Sequence, residues 1–248
     1  MLPRMSTPTG EYRIQGRPVS LPVAVRDASA GAATWLVPAR AVQRLLPEGF
    51  EAAAVLPGRT PLAIAIIDYR DNDLGDYHEV SITCFVRPRG APRGTPWLGA
   101  LRDLIRGRLG TFIWRLPVDQ AFTCEAGRTI WGFPKSVERI DFRTEEKRVT
   151  CRLEMDGEHV LTLEVPRGGT RTLPLAPTVT YSLIEGVPHR TPFAQGGDGA
   201  GFRLGGARLE LGRHPVAEAL RSLGLPRRAL LTMWIERMQG RFEAPEKL

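Results

Sequence analysis

The chain has 248 residues and is 42% apolar, enough for one large domain with a substantial core. Its net charge of +7 comes from scattered arginines, with no basic run and no aromatic RNA-binding motif, so nucleic acid is not the expected partner. Glycine and proline number 26 and 21 and are dispersed, which favours short elements and turns over a helix bundle.

In chain order, "VSLPVAV" reads as an early strand. "VPARAVQRLLPEGF" reads as a helix opening near Pro38 and stopped by Pro47. "PLAIAIIDY" is a continuous apolar run of strand length, predicted to be covered on both faces. "YHEVSITCFVR" alternates. Val80, Ile82, Cys84 and Val86 point one way; Glu79, Ser81, Thr83 and Phe85 point the other, toward solvent or a lumen. "TPWLGALRDLIRGRLG" predicts a helix capped by Thr95, with Trp97, Leu98, Leu101, Leu104 and Ile105 as its apolar stripe.

"FIWRLPV" predicts a strand, and "DQAFTCEAGR" a short helix capped by Asp119 and stopped by Gly127. "RVTCRLEM" and "HVLTLEV" flank the turn "DGE" and predict a hairpin. "PFAQGGDGAGFRLGGA" reads as a glycine-rich, lid-like loop. "HPVAEALRSLG" predicts a helix starting at Pro215, and "ALLTMWIERMQGRF" a final strand. Strands outnumber helices and are joined by turns. The expected fold is mainly β: a curved antiparallel sheet closing into a β-barrel with a few peripheral helices, one domain over 1–248 with loose tails at 1–10 and 241–248.

Several chemistries lack their residues. His78–Glu79 is not followed by the second histidine of HExxH, and the four histidines have no ligand spacing, so no metal is expected. GxGxxG, GK[ST] and GxSxG are all missing, and no cofactor is expected. Cys84, Cys124 and Cys151 form no CxxC and are expected to be buried thiols in a reducing compartment. No h-region opens the chain and no apolar run reaches membrane length, which predicts a cytoplasmic protein away from membranes.

One lysine stands apart. The chain has three lysines against thirty-one arginines, and Lys135 lies in "TIWGFPKS", behind isoleucine, tryptophan, phenylalanine and proline. A solvated cation could have been another arginine. An apolar pocket disfavours the ammonium form and is expected to lower the lysine's pKa. A free amine can form a Schiff base with a ketone, and the iminium then accepts the electrons of a breaking bond. Arginine stays protonated and cannot. The ordinary alternative is a lysine whose methylenes lie on apolar surface with the ammonium in water.

"AGRTIWGFPKS" resembles the lysine motif of the acetoacetate decarboxylase superfamily. "GEYRIQGRPV" resembles its segment with the substrate-site arginine, which falls on Arg17, and "LGDYHE" that with the acid/base glutamate, which falls on Glu79. "HPVAEALRSL" and "LTMWIERM" resemble its closing helix and strand, so the similarity runs over roughly residues 10–240. The resemblance implies Lys135 as Schiff-base nucleophile, Glu79 moving protons and Arg17 gripping a carboxylate. Trp131 and Phe133 become pocket walls, with Glu236 as a further pocket carboxylate or a surface ion pair. It implies a homo-oligomeric lyase that decarboxylates a small anionic β-keto acid. The alternatives are a pyruvate-type aldolase-dehydratase using the same iminium, and a non-catalytic ligand-binding barrel. Two positions depart from the decarboxylase pattern: Ser136 stands where a second lysine would follow the first, and a second pocket carboxylate falls on Ile64.

Overall fold

The computed structural model describes residues 11–91 and 96–248. The alternating segment is strand β6 (Tyr77–Pro88). Val80, Ile82, Cys84 and Val86 are fully buried in one apolar cluster, while Glu79, Ser81, Thr83 and Phe85 face a cavity on the other side. The apolar run is strand β5 (Arg59–Asn72), in antiparallel register with β6 through Ile67↔Glu79 and Ala65↔Ser81. Ala63, Ala65, Ile67 and Tyr69 therefore share the cavity face, and Ile64 and Ile66 enter the cluster. Both faces are covered, as the continuous apolar run predicts.

Five more long strands complete this layer: β3 (Val23–Pro38), β7 (Thr111–Val118), β12 (Arg171–Ile184), β13 (Val187–Leu204) and β15 (Leu231–Phe242). Hydrogen-bonded neighbours run β6, β5, β3, β15, β13, β12, β7, and β7 pairs with β6 again, so the pairings form a ring. The ring is not purely antiparallel. β7 runs parallel to β12 and to the short strand β8 (Lys135–Val137). A parallel neighbour needs a crossover, and helix α3 (Ala121–Trp131) supplies it between β7 and β8.

A second, four-stranded sheet is ordered β14 (Arg208–Leu211), β11 (Glu158–Pro166), β10 (Arg148–Met155), β9 (Arg139–Thr144). The predicted hairpin joins β10 to β11 through Asp156 and Gly157, both at positive φ. Leu153, Leu161 and Leu163 of this sheet are fully buried with Ile64, Ile66 and Ile82 from the outer face of the ring. Helix α4 (Pro215–Ser222) adds Val216 and Leu220 to the same cluster. The three cysteines are free and buried. No helix among the described residues is long and apolar enough to cross a membrane.

Several expectations need correction. The glycine-rich "lid" is most of strand β13. Its glycines serve close packing: a Cβ on Gly197 would lie 2.1 Å from the Arg237 carbonyl oxygen of β15. The helix of 96–110 is α2 (Pro96–Ile105). It rests on a small cluster through Ala100, Leu101 and Leu104. So little apolar surface lies beneath it that Leu98 and Ile105 stay exposed. Its expected cap, Thr95, lies outside the described residues, as does the expected tail at 1–10. Helix α1 (Ala39–Gln43) ends before Pro47. The other expected tail is paired instead: Arg241 and Phe242 belong to β15, and β16 (Glu246–Lys247) pairs with β13.

Candidate active site

The β7–α3–β8 crossover places Lys135. Leu116 of β7 is its register partner, and the side chain passes back along α3 toward the cavity inside the ring. Gly127 makes that path possible: a Cβ there would lie 2.5 Å from Lys135 Cδ and 2.7 Å from Cε. Gly127, expected as the helix stop, sits inside α3. Gly132, at φ 66°, ends the helix. The cap is also one residue later than expected, because the Gln120 side chain accepts from the Thr123 amide. Asp119 instead accepts hydrogen bonds from the His78 backbone amide and ring.

Lys135 is 7% exposed and its Nζ lies 2.8 Å from Glu79 Oε2. It also donates to Thr123 Oγ1 at 3.2 Å and sits 4.9 Å from the centre of the Tyr77 ring. Glu79 is equally buried, and the Tyr69 hydroxyl donates to its other oxygen at 3.4 Å. Tyr69 and Tyr77 are register partners on β5 and β6 and stack with centroids 4.4 Å apart. Burial holds both phenols above their ordinary pKa, so both remain neutral. The sequence reading missed these tyrosines and Thr123. Tyr69 and Tyr77 stand on the cavity face of the two strands expected from the sequence, whereas nothing in the periodicity of α3 marks Thr123.

The electrostatics correct one expectation. Burial does push the Lys135 pKa down. Glu79, through its charge and its hydrogen bond, acts with Tyr77 in the opposite direction, and together they hold the lysine above its ordinary 10.5. The resting lysine is thus an ammonium, 2.8 Å from Glu79 Oε2. Ser136 offers no second cation; it lies outside the lining, as alternation along β8 requires.

The cavity holds about 310 Å³. Trp131 and Phe133 line it, stacked with centroids 5.8 Å apart, and the Trp131 indole donates to the Glu243 carbonyl. Phe193, Phe242, Met233 and Met238 continue the apolar wall. Lys135 and Glu79 are the only charged residues among the described residues that line it. Arg17 is not brought to them. It is exposed, with its guanidinium 4.2 Å from the centre of the Phe122 ring. Glu236 is also elsewhere, paired with Arg167 and accepting from the Trp234 indole at 2.8 Å. Ile64 faces the outer cluster, so no carboxylate is displaced from the cavity at that position.

The family model for acetoacetate decarboxylase (ADC) matches residues 2–240. No curated protein matches the chain. Among solved structures, the chain is similar to acetoacetate decarboxylase from Legionella pneumophila at 17% identity and a TM-score of 0.66, covering 100% of this chain and 91% of that one. It is similar to the enduracididine biosynthesis enzyme MppR, complexed with the condensation product of pyruvate and imidazole 4-carboxaldehyde, at 14% identity and a TM-score of 0.61, covering 98% and 97%. An acetoacetate decarboxylase-like enzyme from Sphingomonas wittichii RW1 gives 16% identity and a TM-score of 0.56, covering 91% and 92%. At these identities the structural likeness speaks for the fold alone, and it is the family match over nearly the whole length that places the chain in the acetoacetate decarboxylase family.

Proposed function

We propose that the protein is a Schiff-base lyase that decarboxylates a β-keto acid inside a barrel formed by the ring of strands. The observation that carries this reading is the buried Lys135–Glu79 contact at 2.8 Å on the cavity wall.

The steps balance on these two residues. The Lys135 ammonium passes a proton to Glu79, and the freed amine attacks the keto carbon. The proton on nitrogen moves to the former carbonyl oxygen, giving a carbinolamine. Glu79 returns its proton to that hydroxyl, which leaves as water and gives the iminium. The C–CO2⁻ bond then breaks with its electrons flowing to the iminium nitrogen, releasing CO2 and leaving an enamine. One proton taken up from solvent and delivered through Glu79 reaches the enamine carbon. Water then hydrolyses the iminium and restores the ammonium. Neutral Tyr69 and Tyr77 hold the Glu79 carboxylate and the Lys135 cation in place.

The missing arginine favours decarboxylation over aldol-dehydration. A pyruvate-type substrate keeps its carboxylate throughout and needs a standing cation beside it, and Arg17 lies outside the cavity. A β-keto carboxylate leaves as CO2, and until then the iminium faces it. The same reading puts the enzyme in the cytoplasm as a homo-oligomer with no cofactor.

Borohydride reduction in the presence of acetoacetate, pyruvate and longer β-keto acids, followed by peptide mass spectrometry, tests the proposal. The expected result is a reduced adduct on Lys135 and none in Lys135→Ala. No adduct with any compound, with Lys135→Ala indistinguishable from wild type, would falsify it and leave a ligand-binding barrel as the alternative.

A further inference from the structure

We propose that the substrate is a β-keto acid with an apolar tail of about four to eight carbons on its keto group, rather than a four-carbon keto acid. This rests on the Schiff-base reading above and extends it to substrate class. The first argument is volume. At roughly 20–30 Å³ per non-hydrogen atom, the upper figure being the share of a water molecule in the liquid, the cavity of about 310 Å³ takes at least about ten to fifteen such atoms. Acetoacetate would fill about half to two-thirds of it.

The second argument is polarity. Away from the Lys135 end, most of the polar side chains on the wall already have partners, Thr34 and Gln195 being the exceptions. Ser81 Oγ and Thr83 Oγ1 bond each other at 2.7 Å, and Thr111 donates to Thr180 at 3.1 Å. Asn72 is bonded to the backbone of Gly75 and Leu74. A bound molecule therefore meets one charged spot, at Lys135, Glu79 and the two tyrosines, and a wall that is otherwise mostly apolar, with Thr34 and Gln195 as isolated polar points. A ligand with one carbonyl head and an apolar body matches that pattern.

The third argument is what keeps the lumen open. Ala32 and Ala65 are register partners on β3 and β5, with Ala30 and Ala63 beside them on the same face. Ala65 also pairs with Ser81 of β6, one lumen-facing step along that strand from Glu79. Space therefore extends along the lumen away from the reacting lysine, where a tail would run while the keto carbon stays at Nζ.

The test is CO2 release by the purified full chain with 3-oxobutanoate, 3-oxohexanoate, 3-oxooctanoate, 3-oxodecanoate and benzoylacetate. The kcat/KM is expected to rise roughly fourfold per added methylene, the worth of a buried CH2, and to level off when the cavity is full. Ala65→Phe is expected to lower the 3-oxooctanoate to 3-oxobutanoate ratio at least about tenfold, with Ala65→Val giving a smaller shift in the same direction. Turnover of 3-oxobutanoate with a flat or falling chain-length profile would overturn the tail and leave the Schiff-base reading intact. No turnover and no Lys135 adduct at any chain length would overturn both.

Discussion

The chemistry proposed for Lys135 depends on Glu79 in two opposed ways, and a single substitution separates them. Glu79 raises the lysine pKa, so removing its charge leaves burial to push the pKa down. Glu79→Gln is therefore expected to increase the neutral amine at pH 7, read as faster modification of Lys135 by a small acylating reagent. Turnover is nonetheless expected to fall by about 10²–10⁴, because the proton shuttle is lost. Slower modification together with unchanged turnover would mean that Glu79 neither holds the proton nor moves it. Gly127→Ala probes the same lysine from behind. The new methyl would occupy the path of Cδ and Cε, so Nζ must shift. Displacement of a reacting atom by about 1 Å can cost on the order of 10²-fold. Adduct formation should drop by about that factor while the fold persists, since alanine favours a helix interior over glycine by about 1 kcal/mol. Unchanged trapping in this variant would show that the lysine reaches the cavity by another path.

Strands that bury two different faces were readable from sequence because a period of two leaves no other solution. The alternation of β6 sets Glu79, Ser81 and Thr83 on the face opposite Val80 and Ile82 and leaves open whether that face meets solvent or a lumen, and β5 shows its double coverage as unbroken apolar residues. Lys135 was readable because it is a rare lysine in apolar company. The partners around it were not, since Thr123 and Gly127 reach it only through the fold of α3. Glycine was the other source of error. In β13 it admits neighbouring backbone and in α3 a lysine side chain, yet in sequence both look like loop or stop. Glu236 on β15 shows the same limit for charge. Its bonds to Arg167 hold its carboxyl below the ordinary 4.5, and the Trp234 indole adds to this. A depressed carboxyl stabilises the fold above its unfolded value and loses that contribution as pH falls through its folded one. Glu236→Gln is thus expected to cost about 1 kcal/mol at pH 7 in denaturant titration, a gap that narrows below pH 4.5. Trapping at Lys135 should not change. A gap that widened in acid would contradict the pairing.

Across the whole molecule, the candidate site and the largest apolar cluster lie on opposite faces of the same strands. Ile64, Ile66, Val80 and Ile82 turn outward to meet Leu153, Leu161 and Leu163 of the second sheet, while Ala63, Ala65, Glu79 and Ser81 turn inward. A cavity is a poor source of stability, because its walls lack contacts on one side. The outer layer then supplies much of the packing that holds the ring in shape, and the two roles can be separated by mutation. Leu153→Ala removes a fully buried side chain from that layer and is expected to cost about 2–5 kcal/mol. For a chain of this length that lowers the melting temperature by roughly 5–15 °C. Well below the new midpoint, the Lys135 adduct should form at close to the wild-type rate, since Leu153 does not line the cavity. A melting temperature unchanged by Leu153→Ala would mean that the second sheet unfolds independently of the ring. A lost adduct in a folded Leu153→Ala protein would mean that the outer packing sets the position of Glu79 through β6, so that the two faces act as one unit.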